Sequence, residues 1–160
     1  MLDMRRSDKE IKERAVIEEI LRDQSVGRLA TSVEDAPYVI PINYVYKDGK
    51  IYFHSHSEGR KILNIRRNPR VCFEVDVGEI KNSEKPCDYS WKYMSVIAFG
   101  EAKEILQVER KFEALQLIVE KYAPGKGMLL TYEDLKKFEN LILVEISVKE
   151  MTGKKSPASN

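Results

Sequence analysis

Asp48-Gly49 sits between two runs rich in β-branched and aromatic residues, one ending at Tyr46 and the other starting at Ile51. A two-residue hairpin loop needs positive φ, which glycine supplies freely and aspartate tolerates, so this pair dictates an antiparallel hairpin. Gly27 to Val33 and Pro37 to Tyr46 read as strands parted by the polar Glu34-Asp35, and the strand after the hairpin runs from Ile51 to His56. Val71, Phe73, Val75 and Val77 alternate with Cys72, Glu74 and Asp76, the pattern of a half-buried strand. Residues 78–90 are polar and read as a loop. Tyr93 to Ile105 predicts a long strand with Gly100 as a bulge, and Ile142, Val144, Ile146 and Val148 mark a last one.

Helices are fewer. Ser7 with Glu10 predicts a capping box opening an N-terminal helical stretch that uses Ile11, Ala15 and Ile20. Gly59-Arg60-Lys61 opens a short helix that ends near Asn68-Pro69. Phe112, Leu115, Val119 and Tyr122 keep the spacing of an amphipathic helix stopped by Pro124-Gly125, and Thr131 with Asp134 predicts one more turn. Hairpin-linked strands with few intervening helices argue for a mainly β, α+β chain with an antiparallel sheet, and six such strands can close into a small barrel.

A chain of 160 residues fits one domain, here residues 1–153, followed by a frayed tail over residues 154–160. The net charge of +1 gives no electrostatic grip on nucleic acid or anionic lipid. No apolar stretch follows the basic residues of MLDMRRSDKE, so no signal peptide is expected, and no run reaches the roughly 20 apolar residues of a membrane span. Cys72 and Cys87 form neither a disulfide framework nor a zinc spacing, and are expected as reduced thiols of a cytoplasmic protein.

The stretch His54-Ser55-His56-Ser57-Glu58-Gly59-Arg60-Lys61 joins a strand end to a helix start. Hydroxyls, a glycine, a guanidinium and an ammonium meet exposed backbone N–H groups there, which is the donor set a phosphate requires. A capped helix with two solvated cations would show the same residues. Tyr52, His54 and His56 share one strand face. The His-x-His pair has only Glu58 as a further nearby ligand and no cysteine, so a histidine that hydrogen-bonds a ligand or the backbone is expected, with no metal. Tyr89, Trp91 and Tyr93 gather beside the polar loop as a core or dimer cluster. Dinucleotide-binding, Walker, nucleophile-elbow and HExxH motifs are absent from the sequence.

MRRSDKEI, RLAT, PYVIPINYVY, IYFHSHSEGRKILNIRRNPRVCFEVD and KYMSVIAFGEAKEI follow one another in the order and spacing of a known family. The chain resembles the FMN-binding split-barrel proteins, the pyridoxamine 5'-phosphate oxidase-like group, over Met4 to about Gly153. In particular it resembles small members related to the nitroimidazole-resistance (Nim-type) nitroreductases. The resemblance implies a six-stranded antiparallel split β-barrel with flanking helices, acting as a homodimer that binds FMN between subunits. It places Val39, Ile40, Pro41, Ile42, Asn43 and Tyr44 along the isoalloxazine and ribityl chain, His54 and Ser55 against FMN, and Arg60 and Lys61 on its phosphate. Ser95 falls where a longer polar residue of the other subunit reaches the flavin. The C-terminal arginine and histidine of the vitamin B6 oxidases are missing from Glu150 to Ser156, so that activity is not expected. The implied function is reduction of a small aromatic or nitro compound with electrons from a donor such as NAD(P)H, with His54 as proton donor or substrate anchor. A non-enzymatic flavin- or haem-binding protein and a deazaflavin enzyme are the alternatives.

Overall fold

The computed structural model describes residues 5–85 and 89–157. Its strands are β1 (Glu10–Ile11), β2 (Val26–Val33), β3 (Ala36–Asn43), β4 (Val45–Lys47), β5 (Lys50–His56), β6 (Arg70–Lys81), β7 (Ser90–Glu104) and β8 (Leu141–Lys155). Its helices are α1 (Arg14–Asp23), α2 (Arg60–Arg67), α3 (Val108–Tyr122) and α4 (Tyr132–Lys136). Both short hairpins are set by left-handed residues: Glu34 and Asp35 at φ 52° and 59°, and Asp48 and Gly49 at 49° and 75°. The strands form one antiparallel sheet ordered β3-β2-β6-β7-β8-β5-β4, with β1 paired to β8.

This corrects the expected six-stranded barrel. Among the described residues the sheet has eight strands and is not closed, because no ladder joins its edge strands β3 and β4. Only Tyr44 separates those two strands along the chain, and α3 reaches its backbone through Tyr122. The Tyr122 hydroxyl accepts the Tyr44 N–H at 2.7 Å and lies 2.8 Å from the Tyr44 carbonyl and 2.6 Å from that of Ser25. The backbone groups at the seam are therefore satisfied by a side chain rather than by a neighbouring strand.

Tyr44 is fully buried and donates its own hydroxyl to the Leu21 carbonyl at 2.7 Å. Around it lies the main core, with Leu29, Ile51, Phe53, Phe73 and Val75 from the sheet and Ile62 from α2. A second cluster seats α3 on β8 through Ala114, Leu115, Ile118 and Leu143. Gly100 carries the register shift expected of it, and a Cβ there would lie 2.4 Å from the Ser147 carbonyl oxygen.

Three local expectations need correction. Ser7–Lys9 is a 3-10 turn without a side-chain cap, and Glu10 pairs with Lys154 instead of closing a capping box. The expected loop at 78–90 is strand at both ends, part of a two-stranded ribbon in which Gly78 faces Tyr93 and Lys81 faces Ser90. Strand β8 also continues through Lys155, where the chain was expected to be frayed. Cys87 and residues 158–160 lie outside the described residues. No helix among the described residues is long and apolar enough to cross a membrane.

Candidate functional site

Helix α2 is fixed to β2 from below by side-chain hydrogen bonds. Asn64 donates to the Thr31 hydroxyl at 2.9 Å and Asn68 to the Ser32 carbonyl at 2.9 Å, while Ile62 and Ile65 bury its inner face. These contacts hold the helix N-terminus beside the end of β5. Gly59, the residue before the helix, has φ 128° and ψ 156°, a region essentially closed to side-chain-bearing residues. A Cβ at Gly59 would meet nothing within 4 Å, so backbone conformation is what requires glycine here.

Helix α2 carries four cations treated in two ways. Arg66 pairs with Glu104 at 2.6 Å and Arg67 pairs with Glu34, both in the last turn, where the helix dipole favours positive charge. Arg60 and Lys61 occupy the first turn, where the dipole opposes them, and neither has a carboxylate partner among the described residues. Arg60 instead lies over the Tyr38 ring at 4.8 Å, which brings β3 alongside the helix start. The N–H groups of Gly59, Arg60 and Lys61 have no hydrogen-bond partner among the described residues. Two unpaired cations and three free N–H groups on one turn fit a phosphate monoester.

The strand leading into this turn alternates as its sequence predicts. Ile51, Phe53 and Ser55 face the core, and His54 and His56 face outward. Ser55 is buried and its hydroxyl donates to the His56 carbonyl at 2.9 Å, so its side chain is engaged within the strand end. His56 accepts the Glu58 N–H on Nδ1 at 3.1 Å, which leaves the proton of a neutral ring on Nε2. His54 is held below the ordinary histidine pKa, first by desolvation and then by the Lys61 ammonium, so it is neutral at pH 7. Among the described residues no cluster of His, Cys, Asp and Glu could hold a metal ion.

Beside these histidines opens a cleft of about 340 Å³, walled across from His54 and His56 by Phe138, Glu139 and Asn140. Sequence inspection passes over this wall, because nothing in the segment FEN signals that it returns to the end of β5. Three clefts of similar or larger volume lie elsewhere, one between the β4–β5 hairpin and α3, one on the β6–β7 ribbon, and one where β1 and the start of α1 meet β8.

The remaining residues divide. Val39 to Asn43 form the edge strand, with Ile40 and Ile42 packed on the core and Val39 and Pro41 on the outer face. Tyr44 offers no free group, since its side chain is buried and its backbone is bonded to Tyr122. Ser95 is not brought to the site within one chain. His54 pairs with Leu143 of β8, whereas Ser95 pairs with Lys154 of the same strand, roughly 35 Å further along it.

Residues 13–155 match the family model described as pyridoxamine 5'-phosphate oxidase. The chain belongs to this flavin-binding family. A crystal structure of a candidate 5-nitroimidazole antibiotic resistance protein from Bacteroides thetaiotaomicron VPI-5482 superposes with a TM-score of 0.78 at 28% identity, covering 91% of this chain and 85% of that one. The flavocytochrome Anf3 from Azotobacter vinelandii gives 0.83 at 19% identity, over 99% and 75% of the two chains, a likeness of fold. An uncharacterized protein of Rhizobium meliloti (strain 1021) is 26% identical over 136 residues, 81% of this chain and 83% of that protein.

Proposed function

We propose that the protein is an FMN-dependent oxidoreductase that reduces small aromatic or nitro compounds with electrons from a donor such as NAD(P)H. The observation that carries this reading is the first turn of α2, where Arg60, Lys61 and three N–H groups stand without partners against the helix dipole. An anionic group docked there resolves both the unfavourable charge and the unsatisfied donors. Arg60 and Lys61 would hold the FMN phosphate, and Gly59 would let the backbone approach it. Val39 to Asn43, joined to the cradle through Tyr38 and Arg60, would border the ring system. When bound, the flavin supplies two-electron redox chemistry between donor and acceptor. His54 would hold a proton beside the acceptor, its neutral ring able to donate one hydrogen bond and accept another. The 5-nitroimidazole context of the Bacteroides relative supports a nitro compound as acceptor.

The test is to identify the molecule that co-purifies, by absorbance and mass, and then to reduce it. A flavin spectrum that NADPH bleaches and a nitroaromatic restores is the expected result, with the rate falling in His54→Ala while FMN stays bound. A Soret band, or a deazaflavin mass, overturns the FMN assignment. An unchanged rate in His54→Ala removes His54 from the chemistry.

A further inference from the structure

The turn that walls the cleft opposite His54 is held at both ends by backbone bonds. Ser57 N–H donates to the Asn140 carbonyl at 2.8 Å, Leu141 N–H donates to the Phe138 carbonyl at 3.0 Å, and Leu141 pairs with His56. Before it, α4 is fixed by a complete capping box between Thr131 and Asp134. The Phe138 backbone is thus set relative to both histidines, yet its side chain is 55% exposed. A phenyl ring on a constrained turn, lining an open cleft of about 340 Å³ together with two imidazoles, is left largely unburied by folding. That volume sits at the small end of ligand pockets and suits one or two rings.

The polar groups narrow the class further. His54 has no hydrogen-bond partner among the described residues, and the His56 Nε2–H is a donor. Glu139 is an exposed carboxylate in the wall, and no lysine or arginine lines the cleft. The lining itself holds donors and a carboxylate but no cation, Lys61 acting on His54 from outside it, and this suits a neutral acceptor group better than an anionic one.

We infer that Phe138 is the stacking platform that selects neutral planar aromatic acceptors, with Glu139 rejecting their carboxylated analogues. This rests on the oxidoreductase reading for its purpose, but not for its test. Calorimetry of 4-nitrobenzyl alcohol and 4-nitrobenzoate is run on the flavin-loaded protein and on the same chain freed of flavin. The alcohol should bind the wild-type chain more tightly than the benzoate. Phe138→Ala should weaken the alcohol roughly threefold to tenfold, the range for losing one aromatic pair, whereas Phe138→Tyr should retain it. Glu139→Gln should narrow the preference for the alcohol, and FMN affinity should be unchanged in Phe138→Ala. Equal binding by Phe138→Ala and wild type, or binding of neither probe by wild type, overturns the platform. A chain that takes up no flavin but still loses the alcohol in Phe138→Ala upholds the platform and overturns the oxidoreductase reading.

Discussion

Lys61 is the residue on which the phosphate assignment can be tested most cleanly. A charge-assisted hydrogen bond contributes about 1.5–3 kcal/mol, so Lys61→Ala should weaken FMN roughly tenfold to a hundredfold. Riboflavin lacks the phosphate and should lose much less; equal losses for the two ligands, measured by fluorescence titration, would remove Lys61 from the cradle. The same substitution bears on His54. Desolvation and then Lys61 lower the His54 pKa, so its NMR titration midpoint should lie below 6.5 and rise when Lys61 becomes alanine. With only two histidines in the chain the signals are simple to assign, and an unmoved midpoint would show that the two side chains do not face each other. The placement of Arg60 and Lys61 on the first turn of a helix that follows β5 was legible because it is carried by residue types in one short segment. Ser55 shows where such legibility stops. Its place on the inward face follows from strand alternation, but the hydrogen bond of its hydroxyl to His56 depends on a side-chain rotation that no pattern encodes.

Among the elements, α3 and the turn before α2 bear the strongest demands. Tyr122→Phe leaves the Tyr44 N–H without its partner at the seam between β3 and β4, and should cost about 1–3 kcal/mol in urea unfolding. A midpoint equal to wild type would mean that water or a neighbouring strand takes over the group. Gly59→Ala forces a Cβ-bearing residue into a glycine-only region at a cost of roughly 1–3 kcal/mol, unless the turn relaxes. Relaxation re-aims the free N–H groups, so either the melting temperature or the FMN affinity must fall. If both stay at wild-type values, the turn is not a fixed cradle. The hairpins at Glu34-Asp35 and Asp48-Gly49 were legible because positive φ restricts which residues can stand there. The ribbon's extension at 78–81 and 90–92 was not. Nearly all of its residues are exposed on both faces, so no apolar alternation marks it as strand. The edge seam was hidden for another reason: Tyr44 reads as one more strand residue, and only the arrival of Tyr122 from α3 shows that the sheet stops there.

For the whole molecule, the outer face of the sheet raises the question of what covers it. Val39 faces Ala30, Ala30 faces Cys72, and Cys72 faces Phe99, so an apolar row crosses β3, β2, β6 and β7. Val39 is 57% and Phe99 45% exposed, and Ile97 extends the patch. The row includes the strand expected to border the flavin, and it lies on the same face as Ser95. Within one chain Ser95 is far from His54 along β8, so it can join the site only if a second copy presents it. A two-fold axis through this face gives that arrangement twice, since an isologous contact places each patch against its own copy. The protein is therefore expected to sediment as a homodimer with two flavins. Phe99→Asp introduces a charge into the centre of the contact and should yield monomers that hold FMN more weakly, because the second wall of each site departs with the partner. Monomers of unchanged FMN affinity would confine the site to one chain. A wild-type protein that sediments at the monomer mass with flavin attached would leave the apolar row to some other role and Ser95 outside the site altogether.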